Sequence, residues 1–177
     1  MSTKHITDVL FVVQARVSSQ RVPRKMIRPF GRTSLLNLCL EKIVESNIPK
    51  ENFILSANEI QLKRLAEHHG LNVYDRSVKS ANEEKDLMSL YEWHDKYPQY
   101  KYVVLINACN LFLQVDTIKD FIDTYLNSPN DGLFAVPAKQ HYCWNSDGDL
   151  LTPWPDGHEL MNRRAVQRAY EATHCLY

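Results

Sequence analysis

Short apolar runs alternate with amphipathic segments along most of the chain. Runs rich in β-branched or aromatic residues predict buried strands at 9–13, 53–56, 71–74, 102–106 and 133–136. Apolar residues at helical spacing predict helices at about 34–46, 59–69, 87–94 and 115–126. Gly70 is expected to end the second helix. This order predicts an α/β fold in three layers, with helices on both faces of a mostly parallel sheet.

The pattern changes after the fifth predicted strand. Residues 140–161 are rich in Trp, Pro, Gly and Asp and show no steady period. Three interpretations stay open for them: an irregular excursion, an edge hairpin around Asp147-Gly148, or a subunit contact through exposed rings. The rings could equally cover one end of the core; they are Tyr142, Trp144 and Trp154. Helical spacing returns at 163–177, and we expect a single domain over residues 1–177.

Positive charge is concentrated between Val9 and Leu40. This stretch has six cations and no acidic residue, although the whole chain has 21 Lys+Arg and 21 Asp+Glu. The cations are Arg16, Arg21, Arg24, Lys25, Arg28 and Arg32. They lie between a predicted strand and a predicted helix, where α/β proteins bind ligands. Arg, Lys and Ser side chains suit phosphate oxygens. A polyphosphate site is therefore predicted, with a solvated basic loop as the alternative.

The same loop resembles a known signature. Residues 13–25 read VQARVSSQRVPRK and fit the pattern A-R-x-x-S-x-R-x-P-x-K, which fixes six positions over eleven residues. The pattern is similar to the opening of acylneuraminate and Kdo cytidylyltransferases, and of related spore-coat-polysaccharide-type transferases. The resemblance implies a Rossmann-like fold of the nucleotide-diphospho-sugar transferase type and a loop that holds the triphosphate of CTP.

The resemblance also implies site residues. Arg16, Arg21 and Lys25 are expected to act in catalysis by holding phosphates and neutralising the leaving pyrophosphate. The expected nucleotide contacts are Gln14, Ala15, Arg16, Ser18, Ser19, Arg21, Lys25, Arg76, Asn82, Asn107 and Cys109. An ordinary surface arginine stays open as the alternative for Arg76, and the evidence for Asn82 is only its place in a polar loop.

One position of the resemblance is altered. Relatives carry Q-G-D-x-P-L-I or Q-P-T-x-P-L after the fourth strand, and an Asp in the third place helps to hold Mg²⁺. Matching residue by residue puts Cys109 in that place and Leu111 at the usual Pro. A thiol is a poor ligand for a cation that prefers oxygen. Mg²⁺ is therefore expected as a cofactor with unknown protein ligands, and a buried structural Cys109 is the alternative.

Candidate acceptor contacts follow the fourth and fifth predicted strands. They are Asn110, Lys139, Gln140, His141 and Arg163. An acidic sugar needs a cation, and Lys139 is the preferred one because it ends the fifth predicted strand. Arg163 belongs to an Asn-Arg-Arg segment similar to one near the sugar site of relatives, although a solvated helix start explains it equally well.

The composition of the chain limits which kinds of partner and which cellular location are expected. Hydrophobic residues make up 44% and charged residues 24% of the chain, and the formal net charge is zero. This balance argues against a nucleic-acid or membrane-surface partner. No apolar run approaches the roughly 20 residues of a membrane helix. The amino terminus lacks a signal-peptide core, and the four cysteines form no CxxC pair. We therefore expect a cytoplasmic protein.

These features together predict a CTP-dependent nucleotidyltransferase. It would activate an acidic sugar (sialic, pseudaminic, legionaminic or Kdo-like) as its CMP derivative, release pyrophosphate and form a homodimer. One alternative is a nucleotide-binding pseudoenzyme or truncated relative with little turnover. Cys109 favours it, as does the lack of the further strand and carboxylate pair of relatives. The other alternative is a structural subunit of a polysaccharide-assembly complex.

Overall fold

A computed structural model describes residues 4–83, 85–172 and 175–177. The chain divides into two compact units, Met1–Leu133 with Cys175–Tyr177, and Phe134–His174. The segment 140–161 falls within the second unit, and the single domain expected over residues 1–177 stays a prediction.

The strands and helices follow the chain in this order. The strands are β1 (Val9–Gln14), β2 (Pro29–Phe30), β3 (Thr33–Ser34), β4 (Phe53–Ala57), β5 (Val73–Asp75), β6 (Tyr102–Ile106), β7 (Ala138–Lys139) and β8 (Ala169–Tyr170). The α-helices are α1 (Leu35–Glu45), α2 (Ile60–His68), α3 (Val78–Asn82), α4 (Leu87–Leu90) and α5 (Val115–Asn127). Two short 3₁₀ turns, Ile6–Asp8 and Lys50–Asn52, precede β1 and β4. None of the helices in the described part of the chain is long and apolar enough to cross a membrane.

A four-stranded parallel sheet forms the centre of the first unit. Its strand order is β5-β4-β1-β6. Successive connections run outward from β1 to β4 and β5, and the next strand, β6, returns to the other side of β1. The order therefore reverses between β1 and β6, and ligands of open α/β sheets bind at such a point. The mostly parallel sheet confirms the predicted α/β fold.

Both faces of the sheet are covered. On β1, successive side chains point to opposite faces. Leu10 and Val12 pack with Ile54 and Trp93 on one face. On the other side of the strand, Phe11 is fully buried. Helix α1 contacts both α2 and α5, and α2 also contacts β4, so these three helices form one layer against the sheet. Burying each large apolar side chain contributes about 1.5–3 kcal/mol relative to leaving it exposed.

Side chains and a glycine fix the ends of two helices. The Ser34 hydroxyl caps α1 by accepting from the amide of Asn37 at 3.3 Å. Helix α2 ends at His68, its C-cap is His69, and Gly70 follows with a φ of 66°, in the left-handed region. The Gly70 amide donates to the Glu67 carbonyl and the next amide donates to the Ala66 carbonyl, both at 2.9 Å. This hydrogen-bond pair is a Schellman motif and confirms the predicted helix end.

Two predicted elements are wrong. Residues 133–136 form no strand, because this apolar run is only four residues long, stays partly exposed and is followed by Pro137, which has no amide to donate. Beside β6 the chain instead places Leu176, in an antiparallel bridge to Ile106. The helix predicted at 163–177 is also wrong over its described residues. There β8 pairs with β7, and tertiary pairing overrides a weak helical period.

Three smaller differences concern short segments. The polar stretch after β5 contains α3, and the helix predicted at 87–94 is shortened to α4. Strands β2 and β3, of two residues each, form a hairpin that was not predicted from the sequence. In the second unit, Trp144 and Leu150 form an antiparallel bridge around a turn at Gly148, whose φ is 89°. This bridge favours the hairpin interpretation of the segment 140–161.

Candidate functional site

A cleft of about 550 Å³ lies at the carboxyl ends of β1 and β6, where the strand order reverses. Its size and position are typical of a ligand site in an α/β protein. Eight predicted nucleotide contacts line it: Gln14, Ala15, Arg16, Ser19, Arg21, Lys25, Arg76 and Cys109. Four other residues line the cleft and were not predicted from the sequence: Gln20, Met26, Glu83 and Leu90.

The segment 15–28, called the cation loop below, leaves β1 and carries most of these residues. Its second half is a turn in which the Arg28 amide donates to the Arg24 carbonyl at 2.9 Å. Arg24 has a φ of 56°, which is uncommon for a residue with a side chain. Met26 is buried, and its carbonyl accepts from the amide of Leu36 at 3.0 Å. Because that amide begins α1 and has no partner within the helix, the contact ties the loop to α1.

The lining is strongly basic. Among the described lining residues, four are cations and one, Glu83, is acidic. Arg16, Arg21 and Lys25 come from the cation loop, and Arg76 follows β5. The Arg16 guanidinium also donates to the carbonyl of Ala81 at 3.3 Å. Several cations around one space, at a position where ligands enter, can bind a polyanion.

Arg76 is a buried cation and only 3% exposed. Its Nε donates to the Ser80 hydroxyl at 2.9 Å, and Nη2 donates to the carbonyls of Ser80 and Leu90 at 2.7 and 3.3 Å. Burial lowers the pKa of the Arg76 guanidinium, Glu92 opposes this effect, and Arg16 adds to it. An arginine keeps its charge under such conditions. The alternative of an ordinary surface arginine is wrong.

The loop after β6 brings Cys109 to the cleft. Asn107 Oδ1 accepts from the amide of Cys109 at 2.9 Å, and the Lys42 ammonium donates to the carbonyl of Leu111 at 2.5 Å. Cys109 is exposed, so the alternative of a buried structural cysteine is wrong. Asn107 and Asn110 do not line the cleft. They line a much smaller cavity between this loop and α1.

Ser18 and Asn82 lie beside the cleft without lining it. The Ser18 hydroxyl donates to Asn82 Oδ1 at 3.4 Å, and the Asn82 amide donates to the carbonyl of Val78 at 3.0 Å. This pair links the cation loop to α3.

The other predicted acceptor contacts belong to the second unit. Lys139 forms an ion pair with Glu171. The Gln140 side chain donates to the carbonyl of Val166 at 3.0 Å, and Arg163 donates to the carbonyl of Gln140 at 3.4 Å. The carbonyl of His141 accepts from the Thr152 hydroxyl at 3.1 Å. Gln140 and Arg163 are therefore brought together.

The described residues at the cleft show no cluster of metal ligands. Within the described ranges there is no group of three or more His, Cys, Asp or Glu side chains that could hold a metal. The thiol of Cys109 is soft, and the side-chain oxygen of Asn107 already accepts a hydrogen bond.

Comparisons with known proteins agree with this architecture. The model of the cytidylyltransferase family matches residues 10–175. The spore coat polysaccharide biosynthesis protein SpsF of Bacillus subtilis (strain 168) is 26% identical over 141 residues, which make up 78% of this chain and 58% of SpsF. The chain thus spans less than two thirds of the length of this curated relative.

Solved structures share the fold. A CMP:2-keto-3-deoxy-manno-octonic acid synthetase complexed with CTP has a TM-score of 0.63 and 12% identity, over 95% of this chain and 72% of that structure. The 4-diphosphocytidyl-2C-methyl-D-erythritol synthase of Anaerococcus prevotii DSM 20548 has a TM-score of 0.57 and 16% identity. The match covers 97% of this chain and 70% of that structure. These likenesses confirm the Rossmann-like, nucleotidyltransferase type of fold.

Proposed function

Because the chain belongs to the cytidylyltransferase family, we propose that its cleft binds CTP and transfers the cytidylyl group to an acceptor hydroxyl. One observation carries the proposal: three cations of the cation loop and Arg76 line a single cleft at the carboxyl ends of parallel strands. A triphosphate needs several charged donors that converge on one space, and this lining supplies them.

In the proposed reaction, an acceptor oxygen attacks the α-phosphorus of CTP. The bond from the α-phosphorus to the bridging oxygen breaks, its electron pair leaves with pyrophosphate, and the acceptor proton passes to solvent. Arg16, Arg21 and Lys25 hold the phosphates and offset the charge that develops on the leaving group. Positioning and charge neutralisation provide most of the rate enhancement in such reactions.

The proposed acceptor is an acidic sugar of the sialic, pseudaminic, legionaminic or Kdo type. Two names support this choice: SpsF takes part in spore coat polysaccharide biosynthesis, and one structure with the same fold is a Kdo-activating synthetase. The proposed contacts are Asn110, Lys139, Gln140, His141 and Arg163. Lys139 would exchange its ion pair with Glu171 for the sugar carboxylate.

Mg²⁺ is the proposed cofactor. We expect it to reach the cleft bound to the triphosphate, since the described lining offers few hard oxygen ligands. When bound, it neutralises phosphate charge.

We also propose that the protein acts in the cytoplasm as a homodimer. The contact would use the ring cluster of Tyr142, Trp144 and Trp154, in which Tyr142 lies 6.1 Å from Trp144 and 4.9 Å from Trp154 between ring centroids. Light scattering of the parent and of a Trp144→Ser, Trp154→Ser double variant tests the dimer.

Pyrophosphate release tests the activity. The parent is mixed with CTP, Mg²⁺ and a panel of sugar acids, with acceptor-free mixtures as the control. We expect release that needs both CTP and one class of sugar acid. Thermal shifts with CTP, UTP, ATP and GTP test base choice, because a ligand that binds only the native state raises Tm. Equal shifts with all four would contradict the cytidylyl assignment.

A second candidate function is a nucleotide-binding protein without turnover. The exposed Cys109 in the lining favours it, since the matching position can hold a carboxylate in relatives. This candidate predicts CTP binding without release of pyrophosphate for any acceptor.

A further inference from the structure

Glu59 connects the cation loop to the end of β4. It occupies the N-cap position of α2, but its side chain makes no capping hydrogen bond. Its Oε1 instead accepts from the amide of Val17 at 2.8 Å, 42 residues earlier in the chain. Glutamate is not among the preferred N-cap residues, which are Asn, Asp, Ser and Thr. Glu59 is thus an unfavoured N-cap residue that makes a long-range contact, which suggests a role outside α2.

The neighbouring Asn58 makes an equivalent contact on the other side. Its side-chain amide donates to the carbonyl of Arg76 at 2.7 Å, and the amide of Arg76 donates to the carbonyl of Ala57 at 3.1 Å. Strand β4 lies between β1 and β5 in the sheet. The Asn58-Glu59 connector therefore holds both segments that bring cations to the cleft.

The burial of the second carboxylate oxygen of Glu59 destabilises the folded protein. Its Oε2 is buried and has no hydrogen-bond partner among the described residues. A buried acceptor without a hydrogen-bond donor lowers the stability of the folded state. Burial lowers the pKa of the Arg76 guanidinium, and the charge of Glu59 works against that lowering. A short capping residue would serve the helix alone at less cost, so the stability of α2 does not explain glutamate at this position.

We propose that Glu59 is a positioning residue of the nucleotide cleft, which fixes the main chain at Val17 so that Arg16 and Ser19 face the bound triphosphate. Glu59 does not line the cleft, whereas Arg16 and Ser19, which lie on either side of Val17, do. It therefore acts through the loop and does not touch the nucleotide. This proposal rests on the proposed binding of CTP.

The decisive variant is Glu59→Asp. Aspartate keeps the charge and is a better N-cap, but its carboxylate is one methylene too short for the contact with Val17. We expect the Kd and KM for CTP to rise about tenfold. We expect kcat to change less than threefold and Tm to stay level or rise. Glu59→Gln keeps an oxygen for the Val17 amide and should recover most of the affinity. Glu67→Gln, on an exposed residue of the same helix, is the matched control.

Amide hydrogen exchange reports the contact directly. Without nucleotide, the Val17 amide should exchange faster in Glu59→Asp than in the parent, Glu59→Gln or Glu67→Gln. Two results overturn the proposal alone. One is a Glu59→Asp protein that binds CTP as tightly as the parent, and the other is a loss of affinity only in step with a loss of Tm. A parent that does not bind CTP overturns the proposed function, and the role of Glu59 with it.

Discussion

The side-chain amide of Gln14 donates to the carbonyl of Leu90 at 3.1 Å, across 76 residues of sequence. The same carbonyl also accepts from Ser80 Oγ at 3.1 Å and from Arg76 Nη2 at 3.3 Å. Leu90 is the last residue of α4, where helix carbonyls lack partners within the helix. The Leu90 carbonyl thus connects Gln14 at the end of β1 with Arg76 and Ser80, and Leu90 itself lines the cleft.

Arg76→Met should destabilise the protein. The change removes a buried cation and leaves the Ser80 carbonyl without its donor, while the Leu90 carbonyl keeps Gln14 and Ser80 as donors. We therefore expect the free energy of unfolding to fall by about 2–4 kcal/mol. Urea denaturation measures the loss. Arg64→Met, which replaces an exposed arginine on α2, is the control and should change the stability by less than about 0.5 kcal/mol. Equal stability of the two variants would contradict the role given to Arg76.

Lys4→Met should also destabilise the first unit. The Lys4 side chain is 8% exposed and donates to the carbonyls of Tyr125, Ser128 and Asn130 at 3.3, 2.5 and 2.7 Å. A cation at the carboxyl end of a helix also interacts favourably with the helix dipole, here that of α5. We expect a loss of about 2–4 kcal/mol in urea denaturation. Lys79→Met, on the exposed side of α3, should leave the stability nearly unchanged.

The cysteines should differ in reactivity. Burial raises the pKa of Cys39 to about 12, with Lys42 opposing the rise and Cys109 adding to it. Because only the thiolate reacts, Cys39 should be alkylated roughly a thousandfold more slowly at pH 8 than a thiol with the ordinary pKa of 9.0. Mass spectrometry after iodoacetamide treatment should find Cys109 and Cys143, which are both exposed, labelled before Cys39. Early labelling of Cys39 would contradict this prediction.

The same shift has a consequence for stability. A pKa raised in the folded state means that the native protein holds this proton more tightly than the unfolded chain does. The contribution of Cys39 is therefore fully present below about pH 9 and is lost as the pH rises towards 12. In the Cys39→Ala variant, the loss of stability that Cys39 causes between about pH 9 and pH 12 should disappear.

Cys109→Asp should change how Mg²⁺ affects CTP binding. A carboxylate in the lining gives Mg²⁺ a hard oxygen ligand, and the cation can then bridge it to phosphate. We expect tighter binding of CTP with Mg²⁺ and equal or weaker binding without it, because the carboxylate repels bare phosphate. Titrations of parent and variant, each with and without Mg²⁺, give the four affinities. If Mg²⁺ helps both proteins equally, Cys109 is not at the metal position.

The sequence predicted the elements that repeat a strong pattern. Strands β1, β4, β5 and β6 and helices α1, α2 and α5 follow apolar periods, and Gly70 marks a helix end that was predicted correctly. It failed where the pattern was short. Four apolar residues at 133–136 look like a buried strand, and the two-residue strands of the hairpins are too short to show any period.

The charged residues of the site could be predicted from the sequence, but the hydrogen bonds that position them could not. The cation loop could be recognised because six cations without an acid stand out along a chain. The contact between Glu59 and Val17 could not, because it depends on β4 lying beside β1. The role of the Leu90 carbonyl as a shared hydrogen-bond acceptor could not be predicted either. Every residue has a carbonyl, and only the tertiary structure decides which one accepts these bonds.

Calorimetric titration of CTP tests the central claim, that the cation loop binds the triphosphate. Arg21 and Lys25 line the cleft, whereas Arg32 belongs to the same basic stretch but lies exposed in the turn between β2 and β3. Arg21→Ala and Lys25→Ala should each weaken binding by about 1.5–3 kcal/mol, the range for charge-assisted hydrogen bonds. Arg32→Ala should bind CTP as the parent does. Parent-like affinity in both Arg21→Ala and Lys25→Ala would contradict the account.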